Sequence, residues 1–142
     1  MQYAGFWLRL VAYLIDSAIV GALPLIVALI ITPIFFNSSW AVAALGVIIF
    51  ILPVAGTVGW LYYALMESST FQATLGKRVM GLKVTGMKGE PVSFGRASGR
   101  FFAKIASSIP LMLGYVMAAF TARKQALHDL IAGCVVIRQH AS

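Results

Sequence analysis

Asp16 has the greatest chemical reach of any residue in this sequence, because it stands inside an apolar run, Leu10 to Ile31, that is long enough to cross a bilayer. A carboxylate at that depth is unfavourable by roughly 2.5–3.5 kcal/mol on insertion scales and is retained where it meets a counter-charge, water or a proton. Two roles follow: a group that binds a proton or cation, or half of a structural ion pair that fixes helix register. Arg9 lies seven positions earlier, nearly on the same helical face and about 10.5 Å away along the axis. Side chains lean toward the helix N-terminus, which carries the Arg9 head away from Asp16 and toward the headgroups. The expected partner of Asp16 is therefore a cation from elsewhere, with Arg100 and Lys104 first, or else a proton held by desolvation.

Arg96, Arg100 and Lys104 recur at every fourth position and share one helical face, whereas Phe101, Phe102 and Ile105 fall mainly on other faces. This is the pattern of a helix lying at a membrane surface, and with Lys77 and Arg78 it defines a basic surface for anionic lipid headgroups. Asp129 follows a basic turn, where it either pairs locally with Arg123 or Lys124 or docks onto the Arg100 stripe. His128 and His140 lack metal-ligand spacing. The segment Gly81-Leu82-Lys83-Val84-Thr85-Gly86 does not match a phosphate loop. With no nucleophile beside a base, no paired catalytic carboxylates and no cofactor fingerprint, the sequence reads as non-enzymatic, without metal or cofactor.

The elements that must position these groups are mostly apolar. Of 142 residues, 61% are hydrophobic, more than a soluble domain can hide, and no charged residue falls between Ser17 and Met66. The first membrane helix is expected over about residues 6–32, with Phe6, Trp7 and Tyr13 near the headgroup zone, a kink at Pro24 and an end at Pro33. A second is expected over about 40–66, where Gly46, Gly56, Gly59 and neighbouring alanines allow close helix packing and Pro53 introduces a bend. Residues 67–100 form a basic cytosolic segment. Within it Leu82-Lys83-Val84 and Glu90-Pro91-Val92 flank a turn in the manner of a short hairpin, and Ser93 is placed to cap a helix beginning near Phe94. The third apolar segment, 101–120, is interrupted by Lys104, Ser107, Ser108 and Pro110, so it is expected as a surface or re-entrant helix broken near Pro110. The C-terminal segment, 121–142, holds a polar turn, a short helix through Leu127 to Ala132 and an extended Val135 to Ile137 that can pair with Leu82 to Val84.

Eleven Lys and Arg against four Asp and Glu give a net charge of +7. Beside long apolar runs such an excess fits anionic headgroups better than nucleic acid. Short basic loops stay in the cytosol, which puts the segment after Lys77 and the C-terminus on the cytosolic side and the uncharged Pro33 to Ser39 turn outside. The single cysteine, Cys134, cannot form an internal disulfide. The first apolar run is too long, and too interrupted by Asp16, to be a cleavable signal peptide.

Three motifs taken in order carry a resemblance. Gly5-Phe6-Trp7-Leu8-Arg9 with Ala12-Tyr13-Leu14-Ile15-Asp16, then Thr74-Leu75-Gly76-Lys77-Arg78 with Gly81-Leu82-Lys83-Val84, then Leu127-His128-Asp129-Leu130-Ile131-Ala132-Gly133 before Val135-Val136, together resemble the RDD family of small bacterial membrane proteins. The arginine and two aspartates that name the family fall on Arg9, Asp16 and Asp129. Cys134 stands where such sequences usually carry threonine. The resemblance implies a multi-pass protein of the bacterial cytoplasmic membrane, concerned with transport of a ligand. The expected fold is an all-α membrane protein with two full transmembrane helices, a third broken helix and a small cytosolic β element. The expected function is transport of a small ligand, or cation or proton exchange at Asp16, in a homo-oligomer. The rival is a membrane adaptor that recruits a partner or anionic lipid through its basic surface.

Overall fold

The computed structural model describes residues 2–35, 39–108 and 113–139. Helix α1, Phe6–Phe35, runs past Pro33 rather than ending there. A proline so close to the C-terminus forfeits a single backbone hydrogen bond, which a membrane helix tolerates. Helix α2, Trp40–Ser68, is likewise long and apolar enough to cross a membrane. Its stretch Val47–Ile51 widens into a π turn just before Pro53. Pro53 has no N–H and its ring crowds the carbonyl four residues back, and a locally wider turn relieves that crowding. The outward faces of both helices are apolar: Leu29, Ile30 and Trp40 are 67%, 65% and 85% exposed, a surface stable only against lipid.

The remaining elements gather at the end where α1 begins and α2 finishes. They are the short helix α3, Leu75–Val79, and strand β1, Leu82–Gly86, followed by α4, Phe94–Ser108, and α5, Leu113–Phe120. Helix α6, Leu127–Ala132, and strand β2, Cys134–Arg138, complete the chain. Ser93 caps α4 as expected, its Oγ accepting the Arg96 N–H at 3.3 Å. Gly133 ends α6 at φ +62°, a left-handed position that suits glycine.

The expected hairpin does not form. Strand β1 pairs antiparallel with β2 in the register Lys83↔Ile137, Val84↔Val136, Thr85↔Val135. Glu90-Pro91-Val92 is outside any strand, and only the Glu90 carbonyl returns to accept the Gly86 N–H at 2.8 Å. Pro91 has no N–H for a ladder, so the β-branched Val135, Val136 and Ile137 win the edge. The N-terminal segment adds to the other side of β2, with the Ala4 N–H donating to the Val136 carbonyl at 2.9 Å. The apolar core of Ala4, Ala12, Ala64, Leu82, Val84, Val92, Ala97, Cys134 and Val136 lies where this sheet meets the helix ends.

The third apolar segment is two helices of 15 and 8 residues, each too short for a hydrocarbon core of roughly 30 Å. The break expected at Pro110 falls outside the described residues.

Candidate functional site

Asp16 is fully buried, and its partners are neutral. Oδ1 accepts from the Tyr62 hydroxyl and from the Gly76 N–H, both at 2.8 Å, and Oδ2 accepts from the Thr74 hydroxyl at 2.5 Å. The approach of α3 to α1 needs a residue without a side chain, since a Cβ on Gly76 would sit 2.3 Å from the Ala12 carbonyl oxygen. The cations expected at Asp16 are elsewhere: among the described residues neither Arg100 nor Lys104 pairs with it. Tyr62 of α2, with Thr74 and Gly76 at the start of α3, supplies uncharged donors instead.

Arg100 instead bridges two acids from distant parts of the chain. Its Nη1 donates to both oxygens of Glu67, at 2.7 Å each, and its Nε and Nη2 both lie 2.7 Å from Asp129 Oδ1. Asp129 Oδ2 takes Arg9 Nη1 and, at 3.2 Å, the Ala126 N–H. Thus Asp129 docks onto Arg100 rather than pairing with Arg123 or Lys124, and Arg9 turns to Asp129 rather than to the headgroups. Glu67 also holds Lys77 Nζ, while Lys104 Nζ stands 3.9 Å from it and 3.7 Å over the Tyr63 ring.

The Arg100 and Lys104 positions of the α4 stripe therefore turn inward, which corrects the expectation that these cations lie in the headgroups. Arg100 and Lys104 turn to the acids, while Phe102 and Ile105 are exposed. Helical spacing puts the cations on one face, but the facing acids decide which way that face turns. Lys77 is buried too, so of the residues assigned to the headgroup surface Arg78 alone is exposed, lying over the Phe71 ring. Arg96 is part-exposed, its guanidinium held by the Ala132 and Gly133 carbonyls and by Glu90.

Burial alone would lower the proton affinity of Arg100, but Asp129 and Glu67 outweigh it and raise the affinity. The same cations hold Asp129 below the usual carboxylate range against the effect of burial. Lys104 is pushed well below the ordinary lysine value by burial and, against the pull of Glu67, by neighbouring Lys77 and Arg100. Burial likewise lowers Lys77 and takes His128 down to about 2.

A cavity of about 220 Å³ adjoins the network, bordered by Arg9, Asp16, Lys77, Arg100 and Lys104, with apolar walls from Phe6, Leu10, Val116 and Val136. Tyr13, Tyr63 and Lys104 also border a larger groove between the two long helices, walled by Val20, Gly21, Pro24, Ala55, Gly59 and Ile105. Among the described residues no cluster of His, Cys, Asp and Glu could hold a metal ion.

Sequence reasoning passed over Glu67, Tyr62 and the Thr74-Leu75-Gly76 turn. Glu67 had a signal, being one of only four acids and lying at the end of a long uncharged run. Thr74 and Gly76 stood within a quoted motif, but nothing in their spacing pointed to Asp16.

Two long lipid-exposed helices, capped at one end by a buried ion-pair network, define a helical membrane protein. The chain belongs to the RDD family, whose model matches residues 3–133. It is 36% identical to the uncharacterized protein YxaI of Bacillus subtilis, over 94% of this chain and 96% of that one. It is 32% identical to the uncharacterized membrane protein YteJ of the same organism, over 96% of this chain and 82% of that one. A Haemophilus influenzae protein is 34% identical over 70% of this chain and 67% of its own length. No solved structure matches.

Proposed function

We propose that this chain is a non-enzymatic, multi-pass transporter of the bacterial cytoplasmic membrane that carries a small ligand or exchanges protons or cations. Two long helices cannot enclose a pathway, so it works as a homo-oligomer. One observation carries the reading: the Asp16 carboxylate, inside α1 and bordering a cavity, is held by neutral donors and by no cation among the described residues. Such a group has no fixed counter-charge among the described residues, whereas a residue serving only as half of an ion pair would have a cation beside it. The adaptor reading needs a free basic surface, and the burial of Lys77 and Arg100, with Lys104 turned to Glu67, weakens it.

Asp16→Asn is the test, because the amide fits. Its oxygen can keep the Tyr62 and Gly76 bonds while its NH₂ donates to the Thr74 oxygen. Insertion, assembly and melting should stay near the parent's while flux of protons or alkali cations in proteoliposomes falls at least about tenfold. Unchanged flux in a well-folded Asn variant overturns the reading.

A further inference from the structure

Arg9 is held through Nε by the Ala4 carbonyl at 3.2 Å and through Nη1 by Asp129, yet its Nη2 is buried without a hydrogen-bond acceptor among the described residues. An unmet guanidinium N–H in a dry site costs about 1–3 kcal/mol or more, so its survival in a fold calls for an explanation. Lys104 is under-served in a similar way. Its nearest acid among the described residues, Glu67, stands 3.9 Å off and is already engaged by Arg100 and Lys77. Around the network four cations, Arg9, Lys77, Arg100 and Lys104, meet three acids, Asp16, Glu67 and Asp129. With all seven groups ionised the imbalance is one positive charge, and Arg9 and Lys104 both line the same cavity. Apart from those charges the wall is largely hydrocarbon, and Tyr13, Tyr63 and Lys104 line both this cavity and the apolar groove between α1 and α2.

We propose that this cavity binds an amphiphilic monoanion, its carboxylate or phosphate oxygens meeting Arg9 and Lys104 and its apolar chain lying in the groove between the two long helices. An oxyanion there meets the Arg9 guanidinium on the cavity wall, balances the surplus charge and relieves the crowding of Lys104 by Lys77 and Arg100. The apolar chain replaces the lipid that would otherwise fill the groove beside Val20, Pro24 and Ile105. The assignment adds a ligand class to the transport reading and rests on that reading only for the movement of the ligand, not for its binding.

The test uses the full chain in phosphatidylcholine nanodiscs, titrated with decanoate and with uncharged decanamide, empty discs being subtracted. Decanoate should saturate at one per chain and bind at least about tenfold tighter than the amide, the loss expected when a charge-assisted contact is withheld. Lys104→Met should remove about that factor, while the exposed Lys88→Met leaves affinity unchanged. Gly21, whose Cβ position is empty, tests the groove: Gly21→Leu should weaken decanoate while sparing hexanoate. A second set of discs containing phosphatidylglycerol separates the sources, since competition with decanoate identifies a lipid headgroup as the occupant and its absence a free carboxylate. Equal binding of acid and amide, or equal effects of the Lys104 and Lys88 variants, overturns the proposal. Saturable decanoate binding without flux would remove the transport reading and leave the site, whereas Asp16-dependent flux with no preference for the acid would do the reverse.

Discussion

Replacing Glu67 by Gln removes one negative charge at nearly constant volume, at the point where α2, α3 and α4 converge. Both Glu67 oxygens accept from Arg100 at 2.7 Å, Lys77 is in contact, and Lys104 stands at 3.9 Å. At that last distance an ion pair is worth about 4 kcal/mol in an effective dielectric near 20, and burying each ion costs several kcal/mol in the other direction. The intact network is thus close to balance, but deleting its acid leaves the desolvation of three cations opposed only by Asp129 and the more distant Asp16. The expected cost is about 3–5 kcal/mol, the usual result of breaking a buried pair from one side. At roughly 2–4 °C per kcal/mol, that lowers the melting temperature by about 10 °C. Thermal unfolding in detergent, followed by near-ultraviolet circular dichroism, measures it. Lys104→Met supplies the internal control. It removes one uncompensated cation, so the double variant should melt above Glu67→Gln alone, with a coupling energy of about 1–3 kcal/mol. A Glu67→Gln protein melting within about 2 °C of the parent, or a double variant no better than the sum of the singles, would refute the reasoning.

Gly76→Ala should destabilise by about 1–3 kcal/mol or more, because its Cβ meets the rigid Ala12 carbonyl oxygen. Gly95→Ala, in the first turn of α4 with open space around its Cβ, should be neutral or stabilising by up to about 1 kcal/mol in the same melting assay. His128 gives a pH signature. Its folded pKa is lowered to about 2 by burial, against an ordinary value of 6.5, so between those values the unfolded chain binds the extra proton. Its contribution to stability is therefore complete above about pH 6.5 and is lost as pH falls, at up to about 1.4 kcal/mol per pH unit. Melting temperatures from neutral pH down to about pH 5, above the ordinary range of Asp129, should fall less steeply for His128→Gln than for the parent.

The two long helices and the pairing of Leu82 to Val84 with Val135 to Ile137 were legible because each rests on a local signal: apolar run length or β-branching. What was not legible depended on who faces whom. The repeat Arg96, Arg100, Lys104 says that these side chains share a helical face, and the same repeat suits a helix in the headgroups or one turned inward onto acids. Glu67 and Asp129 decide between the two, and they lie 33 and 29 residues from Arg100 in sequence. The Asp16 site was hidden for a related reason. A carboxylate in a span announces its need for partners, but three neutral donors, one of them a backbone N–H, are as good an answer as one cation, and backbone donors leave no mark in composition.

Lipid contributes little to choosing one register of packed helices over another, because apolar side chains meet hydrocarbon in every arrangement. Ion pairs do choose. Arg100 reaches Glu67 on α2 and Asp129 on α6 only when α4 lies between them, and Asp129 then reaches Arg9 at the start of α1. Misdocking any of these elements would bury a charge unpaired, at several kcal/mol for each ion. A network that served only this end could be neutral and fully satisfied. This one, fully ionised, carries one cation too many, with an unmet Arg9 N–H and a loosely held Lys104 on two residues that line the same cavity, an imbalance that the proposed anionic ligand offsets.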